Sequence, residues 1–167
     1  TWSFYYRELI KKLSPDFRVI CPDHIGCGLS ETPSPNDYGY RLENRVSDLE
    51  VFIDQLGLTE KINLVVHDWG GFIGCTYALR HHDRIKRLVI TNTAAFLKLA
   101  GRPLPWRLRI MRHLTPFAVP AVLGANMFSR AAIYMAPKKK LAPAVKAGLL
   151  APYNSWHNRI ATLKFVQ

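Results

Sequence analysis

The second half of this chain contains no acidic residue. All 12 aspartates and glutamates lie between Glu8 and Asp83, while 15 lysines and arginines follow from Arg84 onward. No carboxylate after Asp83 is therefore present to orient a histidine, donate a proton or ligate a metal ion. The net charge of +11 arises in this acid-free part. A solvated helical face is the ordinary interpretation, and docking to an anionic membrane surface or an acidic partner is the alternative. No nucleic-acid motif is present, so we expect no nucleic acid partner.

Cysteine is scarce, and long hydrophobic runs are absent. The odd count of three, Cys21, Cys27 and Cys75, without C-x-x-C spacing argues against disulfides or a zinc site and predicts free thiols in a reducing compartment. The sequence has no run of about 18 apolar residues, so no membrane span is predicted. The start at Thr1 has neither the basic residues nor the cleavage site of a secretory signal. We therefore expect a cytoplasmic protein that uses no metal and no cofactor.

The apolar pattern of residues 1–96 alternates between helical and strand periods. Helices are predicted at 1–13, 41–56 and 72–82, and strands at 17–21, 62–66 and 88–90. Buried strands that alternate with helices are typical of parallel sheets built from βαβ units. The sequence therefore predicts the α/β class for this segment.

Residues 97–167 predict only helices, at 106–114, 119–134, 141–150 and 159–166. Such a segment, rich in aromatic residues and methionine, is typical of a helical cap above the C-terminal ends of the strands, where open α/β sheets bind ligands. We expect Phe96, Phe128 and Trp156 to line a pocket for a small hydrophobic substrate. Ordinary packing within the cap is the alternative for each of them.

The stretch LVVHDWGG at residues 64–71 is the most informative part of the chain. An apolar strand ends at a charged residue, two glycines follow, and a helical pattern continues from Phe72. This is the strand–turn–helix pattern of a nucleophile elbow, with Asp68 where serine is more common. The alternative role for Asp68 is a helix N-cap, but a cap explains neither Trp69 nor the paired glycines.

An aspartate nucleophile restricts the chemistry. A serine that attacked saturated carbon would form an ether that water does not readily cleave, whereas the Asp68 carboxylate would form an ester. Its place at a helix N-terminus favours the ionised carboxylate. Halides, epoxides and strained lactones carry the required leaving group on saturated carbon. Trp69 is predicted to stabilise an oxyanion through its backbone N–H and the leaving group through its indole N–H.

The remaining catalytic groups are not evident in the chain. Hydrolysis of an ester on Asp68 needs a histidine base and an acid that orients it. His67 should point away from Asp68 because neighbouring strand residues alternate in direction. His81 and His82 lie at the far end of the elbow helix. We therefore expect both the base and the acid to lie beyond Gln167.

The motif VVHDWG at residues 65–70 resembles the elbow of the haloalkane dehalogenases, a branch of the α/β-hydrolase fold. Epoxide hydrolases share His-Asp-Trp-Gly-Gly but more often have glycine where this chain has Val66. Residues 22–30 are similar to the loop after the fourth strand of that fold, and residues 1–7 resemble the helix after its His-Gly-Asn-Pro oxyanion loop. The resemblance covers the whole chain and implies a partial α/β-hydrolase fold with a truncated cap, the oxyanion loop being expected before Thr1.

One branch is more similar than the others. Residues 92–96 (NTAAF), 151–156 (APYNSW) and 164–167 (KFVQ) resemble the β-lactone decarboxylases of bacterial olefin biosynthesis. This resemblance implies that Asp68 attacks a cis-3,4-dialkyl oxetan-2-one, that carbon dioxide is lost and that a cis-alkene is released. It also implies association with enzymes of the same pathway.

Three alternatives stay open. The first is a haloalkane dehalogenase, although residues 92–95 lack the acid that some dehalogenases carry after the sixth strand. An epoxide hydrolase ranks behind it. The third belongs to a different class and is a non-catalytic protein that binds partners through its basic cap.

The resemblance also predicts a gap in the sheet. In the α/β-hydrolase fold a further strand lies between the predicted strands 17–21 and 62–66, and we expect it to be missing here. Its absence would leave backbone groups of both neighbours unpaired. We therefore expect a fragment that is inactive and poorly stable by itself.

Overall fold

The computed structural model describes residues 2–93 and 115–165. The chain forms two compact units. One comprises Thr1–Tyr38 with Leu104–Gln167, and the other comprises Gly39–Pro103. The predicted division into a core at 1–96 and a cap at 97–167 stays a prediction.

The described residues form seven α-helices and two β-strands. In chain order these are α1 (Arg7–Leu13), α2 (Leu42–Gln55), β1 (Ile62–His67), α3 (Trp69–Arg80), β2 (Ile85–Thr91), α4 (Thr115–Val119), α5 (Met127–Met135), α6 (Pro143–Leu150) and α7 (Ile160–Lys164). A 3₁₀ turn, Ser3–Tyr6, precedes α1. No helix in the described ranges is long and apolar enough to cross a bilayer.

The unit Gly39–Pro103 is built on a parallel pair of strands. β1 and β2 pair in parallel, with Val66 opposite Ile90 and His67 opposite Thr91. The crossover through α3 gives the predicted βαβ unit. The helix predicted at 41–56 is confirmed as α2, and its residue Val46 is fully buried. Both strands therefore end at the same edge of the sheet, where the residues after them meet.

Two acidic side chains of α2 pair with basic side chains at the end of α3 and in the turn after it. Glu50 accepts hydrogen bonds from the guanidinium of Arg80 at 3.3 Å and lies 3.0 Å from Nε2 of His81. Arg84 pairs with Asp54 one helical turn further along α2. The hydrogen bond from His81 holds the pKa of the Glu50 carboxyl below its usual value, with Arg80 as a smaller cause. His81 is thus part of the helix packing.

The prediction of a strand at 17–21 is wrong. This segment is not assigned to a strand, and Phe17 is 53 % exposed. An extended segment forms a strand only when a neighbour supplies backbone partners, and the sheet in the described residues has only β1 and β2. The burial predicted for residues 88–90 is also wrong, since Leu88, Val89 and Ile90 are all exposed in β2.

The helical part of the other unit that the structure describes, residues 115–165, includes α4 and a wide π turn, Pro120–Gly124. The single helix predicted at 119–134 is wrong, because the chain leaves the helical conformation at Asn126, where φ is +53°. Asparagine tolerates this left-handed conformation better than most residues. α5 then starts in a new direction. The helix predicted at 106–114 lies outside the described residues.

An apolar cluster holds this helical part together. It consists of Ala118, Val122, Leu123 and Leu163, with Val119 and Phe128 packed against it. Arg159 links the turn before α7 to the π turn by donating to the carbonyls of Leu123 at 2.6 Å, Gly124 at 2.8 Å and Tyr153 at 2.8 Å. The guanidinium thus satisfies carbonyls that the irregular backbone leaves without helical partners.

Candidate active site

Asp68 lies at the turn between β1 and α3 in a backbone conformation that L-residues rarely adopt. Its φ is +51° and its ψ is −126°. Such a conformation is costly for a residue with a side chain and persists only where the surrounding structure enforces it. A sharp, strained turn from strand to helix is the defining geometry of a nucleophile elbow. The backbone therefore matches the elbow that the sequence predicts.

The Asp68 carboxylate does not cap the helix that follows it. Although Asp68 occupies the N-cap position of α3, its side chain makes no capping hydrogen bond. The residue is exposed. The N-cap interpretation therefore does not explain this aspartate, and the carboxylate lies beside the helix N-terminus, where the macrodipole favours an anion.

Two donors hold the backbone carbonyl of Asp68. The N–H of Gly71 donates to it at 3.0 Å, as part of the first turn of α3. The hydroxyl of Thr93, two residues beyond the end of β2, donates to the same oxygen. Two residues earlier on each strand, the Thr91 hydroxyl donates a hydrogen bond to the Val66 carbonyl at 2.9 Å. A pair of threonines thus ties the end of β2 to the end of β1.

The two glycines after Trp69 have different roles. A β-carbon on Gly71 would collide with the Thr93 side chain, coming within 2.8 Å of its Cβ, so only glycine fits there. A β-carbon on Gly70 would meet nothing within 4 Å. Close packing therefore requires glycine at position 71 and does not require it at position 70. Gly74, one turn further along α3, is the second close approach, and the sequence analysis missed it.

Trp69 is the first residue of α3 and directly follows the nucleophile candidate. Its side chain is 39 % exposed, and its ring centroid lies 5.7 Å from that of Phe72 at a tilt of 48°. Asp68 and Trp69 are thus adjacent on the elbow. The assignment of the Trp69 N–H groups to the oxyanion and the leaving group stays a prediction.

The structure does not test the pocket predicted for Phe96, Phe128 and Trp156. Phe96 lies outside the described residues. Phe128 packs against the apolar cluster of the other unit, and Trp156 in that unit is 52 % exposed. The pocket stays a prediction, and the packing of Phe128 matches the alternative given for it.

The cysteines of the chain are free thiols, and one of them lies on the elbow helix. All three cysteines are free, as predicted. Cys75 lies buried on α3, and burial raises the pKa of its thiol, which keeps the thiol protonated and weakly nucleophilic. Residues 2–93 and 115–165 contain no group of three or more histidine, cysteine or acidic side chains that could hold a metal ion.

Sequence reasoning missed Thr93, and the signal that could have found it is the register of the sheet. Residues after two adjacent parallel strands meet at one edge. With His67 opposite Thr91, the segment after β2 must run beside Asp68 and the first turn of α3. A small hydroxyl residue in that segment is therefore a candidate contact for the elbow.

Comparison with known proteins agrees with this geometry. Residues 1–163 match the family model for the alpha/beta hydrolase fold. The chain is 49 % identical, over its whole length and 52 % of the relative, to a cis-3-alkyl-4-alkyloxetan-2-one decarboxylase from Shewanella oneidensis. It is 42 % identical, over its whole length and 57 % of the relative, to a protein of the same name from Xanthomonas campestris pv. campestris.

A solved structure gives the same fold. The haloalkane dehalogenase DatA from Agrobacterium tumefaciens C58 superposes with a TM-score of 0.85 at 25 % identity, over 97 % of this chain and 55 % of that protein. The chain thus spans about half the length of the curated relatives it matches. On its sequence and on the geometry of its elbow, the chain belongs to the alpha/beta hydrolase fold family.

Proposed function

We propose that the complete protein containing this chain decarboxylates cis-3,4-dialkyl oxetan-2-ones to cis-alkenes, with Asp68 as the nucleophile. The observation that carries the proposal is the strained elbow at Asp68, whose carboxylate is exposed and does not cap α3. The name of the 49 % identical relative supports the choice of substrate. The general class, an enzyme of the alpha/beta hydrolase superfamily, follows from the family match.

The first step is attack by a carboxylate oxygen of Asp68 on C4 of the lactone ring. A bond forms between this oxygen and C4, the bond between C4 and the ring oxygen breaks, and its electron pair stays on the released carboxylate. Relief of the four-membered ring favours the opening. The indole N–H of Trp69 would hydrogen-bond the departing carboxylate, because it is a donor without acceptor character.

The second step returns the enzyme to its starting state. The bond between C3 and the carboxylate carbon breaks, its electron pair becomes the second bond between C3 and C4, and the ester oxygen leaves C4 with its electrons as the Asp68 carboxylate. No proton and no water enter the balance. Inversion at C4, followed by anti loss of carbon dioxide without rotation, keeps both alkyl chains on the same side, which yields the cis-alkene.

Two substrates given separately to the complete protein test this proposal. A cis-3,4-dialkyl β-lactone should give cis-alkene and carbon dioxide, and a long-chain bromoalkane should give little bromide. An Asp68→Asn variant should form no alkene. Release of bromide without alkene would reject the decarboxylase in favour of the dehalogenase.

Haloalkane dehalogenation is the second candidate, because the superposed structure belongs to that class. Here Asp68 would displace halide from saturated carbon, and water would then attack the carbonyl of the resulting ester. Turnover in water carrying heavy oxygen separates the two reactions. The hydrolytic route, from a halide or an epoxide, places heavy oxygen in the Asp68 carboxylate, whereas the decarboxylation route leaves the carboxylate unlabelled.

A binding function of the basic part is a separate proposal from a different class. α5 exposes Met127, Tyr134 and Met135, each to more than half, and the exposed lysines Lys138–Lys140 follow directly. Exposed apolar side chains can insert into a lipid surface, and the basic cluster beside them can bind anionic lipid headgroups. We propose that this surface contacts an anionic membrane, where long-chain substrates partition.

Vesicle sedimentation tests the membrane proposal. The complete protein should bind vesicles that contain phosphatidylglycerol at low salt, and high salt or replacement of all three lysines by glutamine should weaken binding. Neutral vesicles are the control. Absence of binding at low salt, or an interaction only with enzymes of the same pathway, would reject it.

A further inference from the structure

We propose that Thr93 is a positioning residue for the nucleophile, and that its hydroxyl fixes the elbow backbone from which the Asp68 carboxylate attacks. The inference rests on the proposed function of Asp68 and deepens it. Thr93 contacts the elbow in two ways, through its hydroxyl at the Asp68 carbonyl and through its side chain against Gly71. Both contacts lie within the unit Gly39–Pro103.

The hydroxyl acts on the strained residue itself. Asp68 holds φ at +51°, a conformation that needs support from its surroundings. The Gly71 N–H satisfies one acceptor position of the Asp68 carbonyl, and the Thr93 hydroxyl satisfies another. Because the second donor comes from the segment that directly follows β2, it fixes the direction of this carbonyl relative to the sheet. The direction of the carbonyl sets the orientation of the Asp68 peptide and hence of its side chain.

The Thr93 side chain also sets the distance between the helix and the segment after β2. It occupies the space that a β-carbon on Gly71 would need. Glycine at this position therefore allows the first turn of α3 to approach Thr93, and Thr93 fills the resulting space. Displacement attack at saturated carbon requires the oxygen, the carbon and the leaving group to be in line, so small shifts of the elbow reduce the rate.

Two threonine variants separate positioning from simple cross-strand bonding. Thr93→Val removes the hydroxyl and keeps the shape, whereas Thr91→Val removes the equivalent bond to the Val66 carbonyl two residues before the nucleophile. Thr93→Ser keeps the hydroxyl. In the complete protein, we expect Thr93→Val to lower kcat by about 10- to 100-fold with KM nearly unchanged, because the substrate contacts remain while the attack geometry is lost. Thr91→Val should leave kcat close to that of the wild-type protein. Thr93→Ser, which keeps the hydroxyl, should retain most of the wild-type kcat.

Amide hydrogen exchange at Trp69, Gly70 and Gly71 tests the same contact without substrate. We expect Thr93→Val, but neither Thr91→Val nor Thr93→Ser, to raise exchange at these amides. Equal kcat for the two valine variants, or unchanged exchange in Thr93→Val, would overturn the role of Thr93. If the unchanged protein converts neither lactone nor halide, the proposed function fails, and the exchange data alone then decide whether Thr93 holds the elbow.

Discussion

The side chain of Val66 occupies the space that a β-carbon on Gly74 would need. Val66 is buried on β1, and Leu64 on the same face would lie 3.3 Å from that β-carbon. α3 therefore packs directly onto β1 through a glycine, one turn after the contact between Gly71 and Thr93. These two approaches fix the axis of the elbow helix, and with it the position of Asp68 at the helix N-terminus.

Alanine at position 74 should destabilise the protein. Gly74→Ala forces a methyl group against Val66, and overpacking of this kind costs about 1–3 kcal/mol. Gly70→Ala is the matched control, because nothing lies within 4 Å of a β-carbon there. Denaturant unfolding of both variants in the complete protein should show a loss for position 74 only. Equal midpoints would contradict the close packing of α3 on β1.

The contribution of Glu50 to stability should decrease in acid. The pKa of its carboxyl is lowered in the folded protein, first by the hydrogen bond from His81 and then by Arg80. The unfolded state therefore takes up a proton at higher pH than the folded state does. The stabilisation is fully present above the unfolded pKa of about 4.3 and is lost as the pH falls through the folded pKa.

A comparison with Glu50→Gln measures this dependence. The stability difference between the unchanged protein and Glu50→Gln should be largest near neutral pH and should shrink in acid. In a His81→Ala background the same substitution should have a smaller pH-dependent effect, because the largest cause of the lowered pKa is gone. A difference that stays constant with pH would argue against the Glu50–His81 hydrogen bond.

Loss of the Arg159 guanidinium should unfold part of the helical segment 115–165. Arg159→Met removes the donors to the carbonyls of Tyr153, Leu123 and Gly124, and hydrogen bonds to charged groups contribute about 1.5–3 kcal/mol each. Arg130→Met on the exposed side of α5 is the control. We expect a clear loss of stability and faster hydrogen exchange in residues 120–126 for Arg159→Met alone. Unchanged exchange would show that the π turn does not depend on Arg159.

The sequence predicted the elbow well, because its information is local. An apolar strand, a charged residue and glycines at fixed spacing specify the turn at Asp68 almost without tertiary context. The amphipathic helix α2 was predicted for the same reason. Predictions that depend on distant partners had mixed outcomes, since the parallel βαβ unit is confirmed and the strand at 17–21 is wrong. Residues 17–21 have strand composition, but composition cannot supply the neighbouring strand that a ladder needs.

Two further features depend on tertiary context and are not evident from the sequence. Gly70 and Gly71 look equivalent in sequence, and only the presence of Thr93 beside one of them distinguishes their roles. The break at Asn126 follows a π turn that helical periodicity does not reveal. The catalytic role of Trp69 and the pocket of Phe96, Phe128 and Trp156 stay predictions.

Substitution of the nucleophile should abolish alkene formation. Asp68→Asn keeps the size of the side chain but removes the charge, and loss of a nucleophile costs on the order of 10⁴-fold or more in kcat. The side chain makes no capping hydrogen bond, so we expect little change in stability. Gas chromatography of the alkene and a thermal melt measure the two effects. Substantial activity in Asp68→Asn would assign the nucleophile to another residue.

Mass analysis of the quenched enzyme tests whether Asp68 is the nucleophile. The complete protein is mixed with excess cis-3,4-dialkyl β-lactone, quenched in acid during the first turnover and digested with trypsin, which releases residues 62–80 between Lys61 and Arg80 as one peptide. We expect this peptide to gain the mass of one whole lactone, as an ester on Asp68, and to lose it again as cis-alkene forms. Alkene formation with the lactone attached to a different residue would contradict this role of Asp68.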